Sequence, residues 1–294
     1  MLDTISTGPW PTGMDNRAPD HALQKDAIRN AVNVDISNGG NAKRRDGYTK
    51  VISGLAMRGG YSGPAGVFYV MGNTLYRWND DDSKTAIYIG VSGPYCSYDT
   101  VDDKVYFTDG TKVLRIDGNV VTTLDIPAGR IIRQHNGRLY VADGKTIWYT
   151  LPFSETVDFD NGFLQYEHDV TIMESVVGGL WVVADKTYFL AGGDPQEFVQ
   201  REALEYGAVY GTSVKLKQGG VCWFSTKGAV IAGDGGEISN IQEKHVAPDV
   251  ATTGAGLLRE KDGLVSFIAS LRDAVPSGMA AKSFMNMEVV RRGG

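Results

Sequence analysis

The hydrophobic positions of this chain fall into a recurring unit. Two to four apolar or aromatic residues are followed by a short turn with Gly or Asp, then by a second β-rich run. One copy reads Val67-Phe68-Tyr69-Val70, Met71-Gly72-Asn73, Leu75-Tyr76-Arg77-Trp78. The next reads Val105-Tyr106-Phe107, Thr108-Asp109-Gly110, Val113-Leu114-Arg115-Ile116. The clearest is Leu139-Tyr140-Val141, Ala142-Asp143-Gly144, Ile147-Trp148-Tyr149. Weaker copies run from Leu180 to Lys186 and from Val221 to Gly228, and a degraded one covers Leu264 to Phe267. Aligned on Tyr69, Tyr106, Tyr140, Val182, Trp223 and Ser266, they lie 37, 34, 42, 41 and 43 residues apart. That is close to the roughly 40–45 residues of a four-stranded propeller blade. A further strand precedes the copies, at Tyr95 to Val101, Arg130 to His135, Val170 to Val176 and Val209 to Lys215. These are the innermost strands, beside the propeller axis. The Asp-Gly pairs at 109–110 and 143–144 suit two-residue hairpin turns, where a positive φ is needed.

Composition supports this reading. Glycine is 37 of 294 residues, about 13 % and roughly twice the usual share. Val plus Ile total 45 against 17 Leu, which favours many short strands over a helical bundle. The fold expected is all-β: a β-propeller of about six blades over residues 32–294, with an extended arm over 1–31. A β-sandwich with evenly spaced strands is the competing architecture. The arm holds Pro9, Pro11 and Pro19, with at most a short helix between Asp20 and Asn30. Residues 32–51 read as a hairpin around Asn38-Gly39-Gly40 that helps close the ring against the incomplete last copy. No apolar run approaches the roughly 18 residues of a membrane span. Met1 to Thr12 does not read as a signal peptide. Two cysteines, Cys96 and Cys222, are too few for a disulfide scaffold.

The arm and the hairpin carry a resemblance. Arg29-Asn30-Ala31-Val32-Asn33-Val34-Asp35, a Gly turn, then Arg44-Arg45-Asp46-Gly47-Tyr48 ahead of propeller blades resembles the tail nozzle family of short-tailed phages. Members are also called packaged-DNA-stabilisation or tail hub proteins. Trp148-Tyr149-Thr150-Leu151-Pro152 before Asp158-Phe159 is similar to a blade-to-blade connection there. So are the stretch Glu174 to Val183 leading into Tyr188-Phe189-Leu190, and Glu205-Tyr206-Gly207-Ala208-Val209 before Trp223-Phe224-Ser225. The resemblance runs from about Asn30 to His245. The chain departs from larger nozzle proteins in leaving little room for a tip domain. The resemblance implies a structural virion protein, not an enzyme. It would be assembled in the host cytoplasm as a hexameric ring below the portal and adaptor. Double-stranded DNA would pass through the ring's channel without sequence readout. Arg29, Asn33, Arg44, Arg45 and Tyr48 are then the expected assembly interface.

Charge and candidate chemistry fit a scaffold. A formal net charge of −6 and short basic clusters at Lys43-Arg44-Arg45 and Arg291-Arg292 argue against tight DNA-backbone binding. A net-acidic wall suits DNA sliding past it. No metal and no cofactor is expected. His21, His135, His168 and His245 are isolated, and metal ligation needs clustered ligands. Asp80-Asp81-Asp82 and Asp102-Asp103 read as solvated turns. Gly192-Gly193 and Gly233 to Gly236 lack the Lys-Ser/Thr of a phosphate loop.

The competing function is a carbohydrate-binding or glycoside-cleaving propeller on the virion surface. It would use Asp99, Glu174 and Glu205 as a carboxylate set beside the inner strands. Trp10, Tyr61, Tyr95 and Tyr98 would be its sugar-stacking aromatics, unless they pack between blades. A generic interaction propeller is a third option, although the Gly-His and Trp-Asp pairs of the WD40 type are missing.

Overall fold

In a computed structural model, the structure describes residues 8–275 apart from Asn33, Asn38, Arg45, Asp46, Tyr48, Lys50, Val51, Leu55, Asp262 and Gly263. Five four-stranded antiparallel sheets follow one another along the chain. Blade 1 is Met57–Gly63, Gly66–Met71, Thr74–Trp78 and Lys84–Ile89. Blade 2 is Ser97–Val101, Lys104–Thr108, Val113–Asp117 and Val120–Leu124. Blade 3 is Ile131–His135, Arg138–Asp143, Thr146–Tyr149 and Phe163–Gln165. Blade 4 is Ile172–Val176, Gly179–Val183, Thr187–Ala191 and Val199–Leu204. Blade 5 is Val214–Lys215, Val221–Ser225, Gly228–Ala232 and Ile238–Asn240. A two-stranded hairpin, Thr253–Lys261 with Leu264–Arg272, takes the sixth place. Its first strand is bonded to the entry of blade 5 through Gly254 N to Tyr210 O at 2.8 Å and Gly256 N to Gly211 O at 3.2 Å.

Each blade is an up-and-down meander of sequential strands, which identifies a β-propeller. Burial explains why the second strand of each unit reads as a solid apolar run. Such a strand is covered on both faces, so the usual alternation disappears. Val105 and Phe107 pack toward blade 1, while Tyr106 packs toward blade 3. Leu139 and Val141 face blade 2, while Tyr140 and Ala142 face blade 4. Leu180 and Val182 face blade 3, while Trp181 and Val183 face blade 5. The core is therefore a series of wedges between neighbouring blades. Each buried Val, Leu, Ile or Phe contributes about 1.5–3 kcal/mol. Blade-to-blade packing thus outweighs what one isolated hairpin can supply.

The Asp109 turn does more than reverse the chain. The carboxylate is fully buried and accepts from Thr111 N at 2.8 Å, Lys112 N at 3.1 Å, Ser92 N at 3.0 Å and Gly93 N at 3.1 Å. It ties the hairpin of blade 2 to the segment entering that blade. Gly93 is required there, because a Cβ would strike the Asp109 carbonyl oxygen. The second turn is simpler: Asp143 pairs with Thr146, so Gly144-Lys145 is the two-residue loop, with Gly144 at φ +57°, whereas the loop at Asp109-Gly110 is four residues long, from Asp109 to Lys112, and not the two expected.

The arm docks on the turn after blade 5. Asn16 exchanges hydrogen bonds with Ala247, accepting from its N at 2.7 Å and donating to its O at 3.1 Å. Asp15 lies 3.3 Å from His245 Nδ1. The short helix is a 3-10 turn over Asp20–Ala22. The hairpin Val34–Ile36 with Ala42–Arg44 is joined to the last hairpin by Arg259 and Asp35 at 2.6 Å. Among the described residues, no helix is long and apolar enough to cross a membrane.

Candidate functional site at the propeller axis

The innermost strands bring their polar side chains together around a cavity of about 780 Å³. It is lined by blade 1 at Arg58 to Gly63, blade 2 at Tyr95 to Thr100 and blade 3 at Arg130 and Arg133. Glu174 of blade 4, Ser213 and Lys215 of blade 5, and Gly254 to Gly256 of the last hairpin complete the wall.

A buried ion pair dominates the geometry. Arg133 Nε donates to Glu174 Oε2 at 2.8 Å, and a terminal nitrogen donates to Oε1 at 2.6 Å. Ser213 Oγ adds a bond to Oε1 at 2.7 Å. Arg133 also donates to Ser97 Oγ at 2.9 Å. Burial pushes the Glu174 carboxyl up, but Arg133, Lys215 and the Ser213 hydroxyl outweigh it, and the group sits below its ordinary value. Asp99 accepts from Gln134 N at 2.7 Å and Thr100 N at 2.9 Å, and Lys215 Nζ lies 3.8 Å from it. One polar belt therefore links blades 2, 3, 4 and 5.

Of the three carboxylates expected at the axis, two are there. Glu205 is not. It is exposed and follows the outermost strand of blade 4, so it belongs to a blade connection at the rim. The sequence places Glu205 shortly before the inner strand of blade 5, but the link between blades spans the full radius of the fold. A general acid needs a raised pKa. Glu174 has the opposite shift and already accepts three hydrogen bonds.

The aromatic residues mostly pack between blades. Tyr98 is buried, with Tyr61 stacked on it at 5.2 Å. The Tyr61 hydroxyl contacts that of Thr100. Tyr95 meets Tyr210 edge-on at 5.6 Å, and Arg130 lies 5.5 Å from the Tyr95 ring. Tyr210 donates to Arg130 O at 3.0 Å, and burial pushes its phenol up to about 12. Trp10 belongs to the arm, where its N donates to Gly40 O at 2.8 Å. Both thiols are free, and burial pushes each up to about 11.

Arg133, Ser213 and Lys215 were not singled out by sequence reasoning. Arg133 did leave a signal: it is a cation inside Ile131–His135, a strand expected to be innermost, and such a charge needs a partner. Ser213 and Lys215 left none, because their roles depend on which blades face one another.

Among the expected interface residues, Arg29 donates to Ala18 O inside the arm. Arg44 is exposed on the hairpin, opposite Val34. Asn33, Arg45 and Tyr48 lie outside the described residues. Among the described residues, no group of three or more His, Cys, Asp or Glu side chains is placed to hold a metal ion.

No protein-family model and no curated protein sequence matches the chain. Solved propeller structures do resemble it. Virginiamycin B lyase from Staphylococcus aureus aligns at TM-score 0.49 and 14% identity, over 72% of this chain and 83% of that one. The Neurospora crassa Pan2 WD40 domain aligns at 0.46 and 9% identity, over 75% and 76%. PorZ, a surface component of the type-IX secretion system of Porphyromonas gingivalis, aligns at 0.47 and 11% identity, over 74% and 31%. The chain thus spans about a third of PorZ. The fold assignment rests on the order of the sheets themselves.

Proposed function

We propose that this chain is a non-enzymatic structural protein of a short-tailed phage, forming a ring below the portal and adaptor that extends the DNA channel. The observation favouring a scaffold over a glycosidase is the state of the axial carboxylates. Glu174 is fixed by Arg133 and Ser213, and Asp99 by two backbone amides. Both carboxylates are tied into the polar belt between blades, which supports a structural role for them. The phage assignment is supported by the arm and hairpin pattern from Arg29 to Tyr48. The channel in this reading lies between copies and not along the propeller's own axis. That axis holds a space of small-ligand size and is crossed by the polar belt.

Native mass spectrometry of the purified chain, alone and with portal–adaptor complexes, tests the proposal. The expected species is a hexamer, or a hexamer formed on the adaptor. A monomer that joins neither itself nor the adaptor refutes it. Removing residues 1–28 is expected to leave the blades folded while abolishing attachment.

A further inference from the structure

Blade 3 departs from the repeat on its outer side. Thirteen residues, 150–162, join its third and fourth strands, where the other four-stranded blades use two to seven. The loop is tied down. Thr150 is bridged to Val157, and Leu151 N donates to Thr156 O at 2.8 Å. Glu155 pairs with Arg115 of blade 2 at 2.8 Å and accepts from the Tyr106 hydroxyl at 2.7 Å. Even so, the loop holds its large apolar side chains in solvent. Phe153 is 91% exposed and Phe159 61%, and Leu151 and the following Phe163 are exposed as well. Phe159 and Phe163 both lie against Trp148, at 5.8 and 5.5 Å, and form one aromatic patch. Phe153 also sits at φ +53°, a left-handed conformation that bulky residues rarely adopt, with its N donating to Gly137 O at 2.6 Å. Backbone strain of this kind concentrates at functional sites, and exposed apolar patches mark interaction surfaces.

Charge points to what the loop fits. Residues 150–162 hold Glu155, Asp158 and Asp160 and no Lys or Arg. The strand Ala42–Arg44 has the opposite sign, with Lys43 and Arg44, and is exposed at every position. Its hairpin is joined through Asp35 and Arg259 to the last hairpin, in the sixth place, three places round from blade 3. A ring of identical copies is joined head to tail, so each copy must carry two different, complementary surfaces. This chain carries an acidic aromatic one and a basic one.

We propose that the blade 3 loop is the docking surface for a second copy of this chain and receives that copy's 42–44 strand. Phe153 and Phe159 are the apolar anchors, and Asp158 and Asp160 meet Lys43 and Arg44. The proposal rests on the ring reading above and names the two halves of its contact.

Native mass spectrometry of the full chain and of single variants, alone and with portal–adaptor complexes, tests it. Phe153→Gly and Phe159→Ser remove exposed rings, so their melting temperatures are expected to stay at the parent's value. Each is expected to raise the concentration for half assembly by about tenfold or more, the loss of an interface anchor. Asp160→Arg and Arg44→Asp are each expected to weaken the ring, and the double variant to restore it. A parent that forms no ring, alone or on the adaptor, overturns the ring reading and this proposal with it. A parent ring that the loop variants leave unchanged overturns this proposal alone. So does a ring of loop variants that no longer joins the adaptor, because the loop then faces the adaptor. Charge variants that the double variant does not rescue overturn it too.

Discussion

Replacing Glu174 by Gln tests the polar belt most directly. The change keeps the shape of the side chain and removes its charge. Arg133 then stays inside blade 3 with its Ser97, Tyr98 and Ile132 contacts but without its bonded counter-ion. The exposure of the pair is 15% for the Arg133 side chain and 2% for Glu174, so water compensates only in part for the lost partner. Removing one partner of a buried pair costs about 3–5 kcal/mol. At roughly 2–4 °C per kcal/mol for a domain of 150–250 residues, the melting temperature is expected to fall by about 6–20 °C. Urea titration followed by tryptophan fluorescence reads the same loss, since Trp181 and Trp223 are fully buried at the neighbouring blade interface. The double variant Arg133→Met with Glu174→Leu removes both charges together, and is expected to recover most or all of the loss. A Glu174→Gln protein within 1 kcal/mol of the parent, by the roughly 3 kcal/mol lower bound above, would refute the reasoning. Loss of a glycan-cleaving activity in that variant would favour the carbohydrate reading instead.

Further outcomes are expected at three residues. Asp109→Ala leaves several backbone amides without an acceptor and should cost about 3 kcal/mol or more by urea titration. The Asp109 carboxyl is raised by burial but lowered overall by its Thr111, Gly93 and Ser92 bonds. Its stabilising contribution is therefore complete above the value near 4 of an unfolded aspartate. It disappears as the pH falls through the lower folded value, and Asp109→Asn should flatten acid melting curves there. His135 is held low by burial, with contacts to Ser175 Oγ and Gly192 O at 3.1 Å each. Stability should thus be lost as the pH falls from about 6.5 through its folded value, and His135→Gln should reduce that slope between pH 7.5 and pH 5 melts. Trp181→Ala removes a fully buried ring packed 4.7 Å from Phe189 and 6.0 Å from Trp223, and should cost about 3–5 kcal/mol in denaturant titration.

The repeat and the identity of its strands were legible in the sequence, and so was the incomplete last copy. Val105-Tyr106-Phe107 and Leu139-Tyr140-Val141 announce themselves because a strand between two blades must be apolar on both faces. Position in the repeat, one strand ahead of each apolar copy, made Arg130 to His135 recognisable as innermost. Asp109 was legible only in part. A turn was readable from Asp-Gly, whereas its bonds to Ser92 and Gly93 join segments 16 and 17 residues apart.

The axial site was decided by tertiary structure. Asp99, Arg133, Glu174 and Lys215 are spaced about one blade apart, and no local pattern states that they share an axis. Their meeting depends on the number of blades and on the angle between them, which sum contributions from every blade interface. Glu205 shows the converse. It stands beside an expected inner strand in sequence, yet the chain crosses from rim to axis within those few residues. Strand order and turn positions are properties of neighbours along the chain, and so the sequence determined them. The pairing of charges across the axis is a property of closure, and it exists only once the blades are packed around one another.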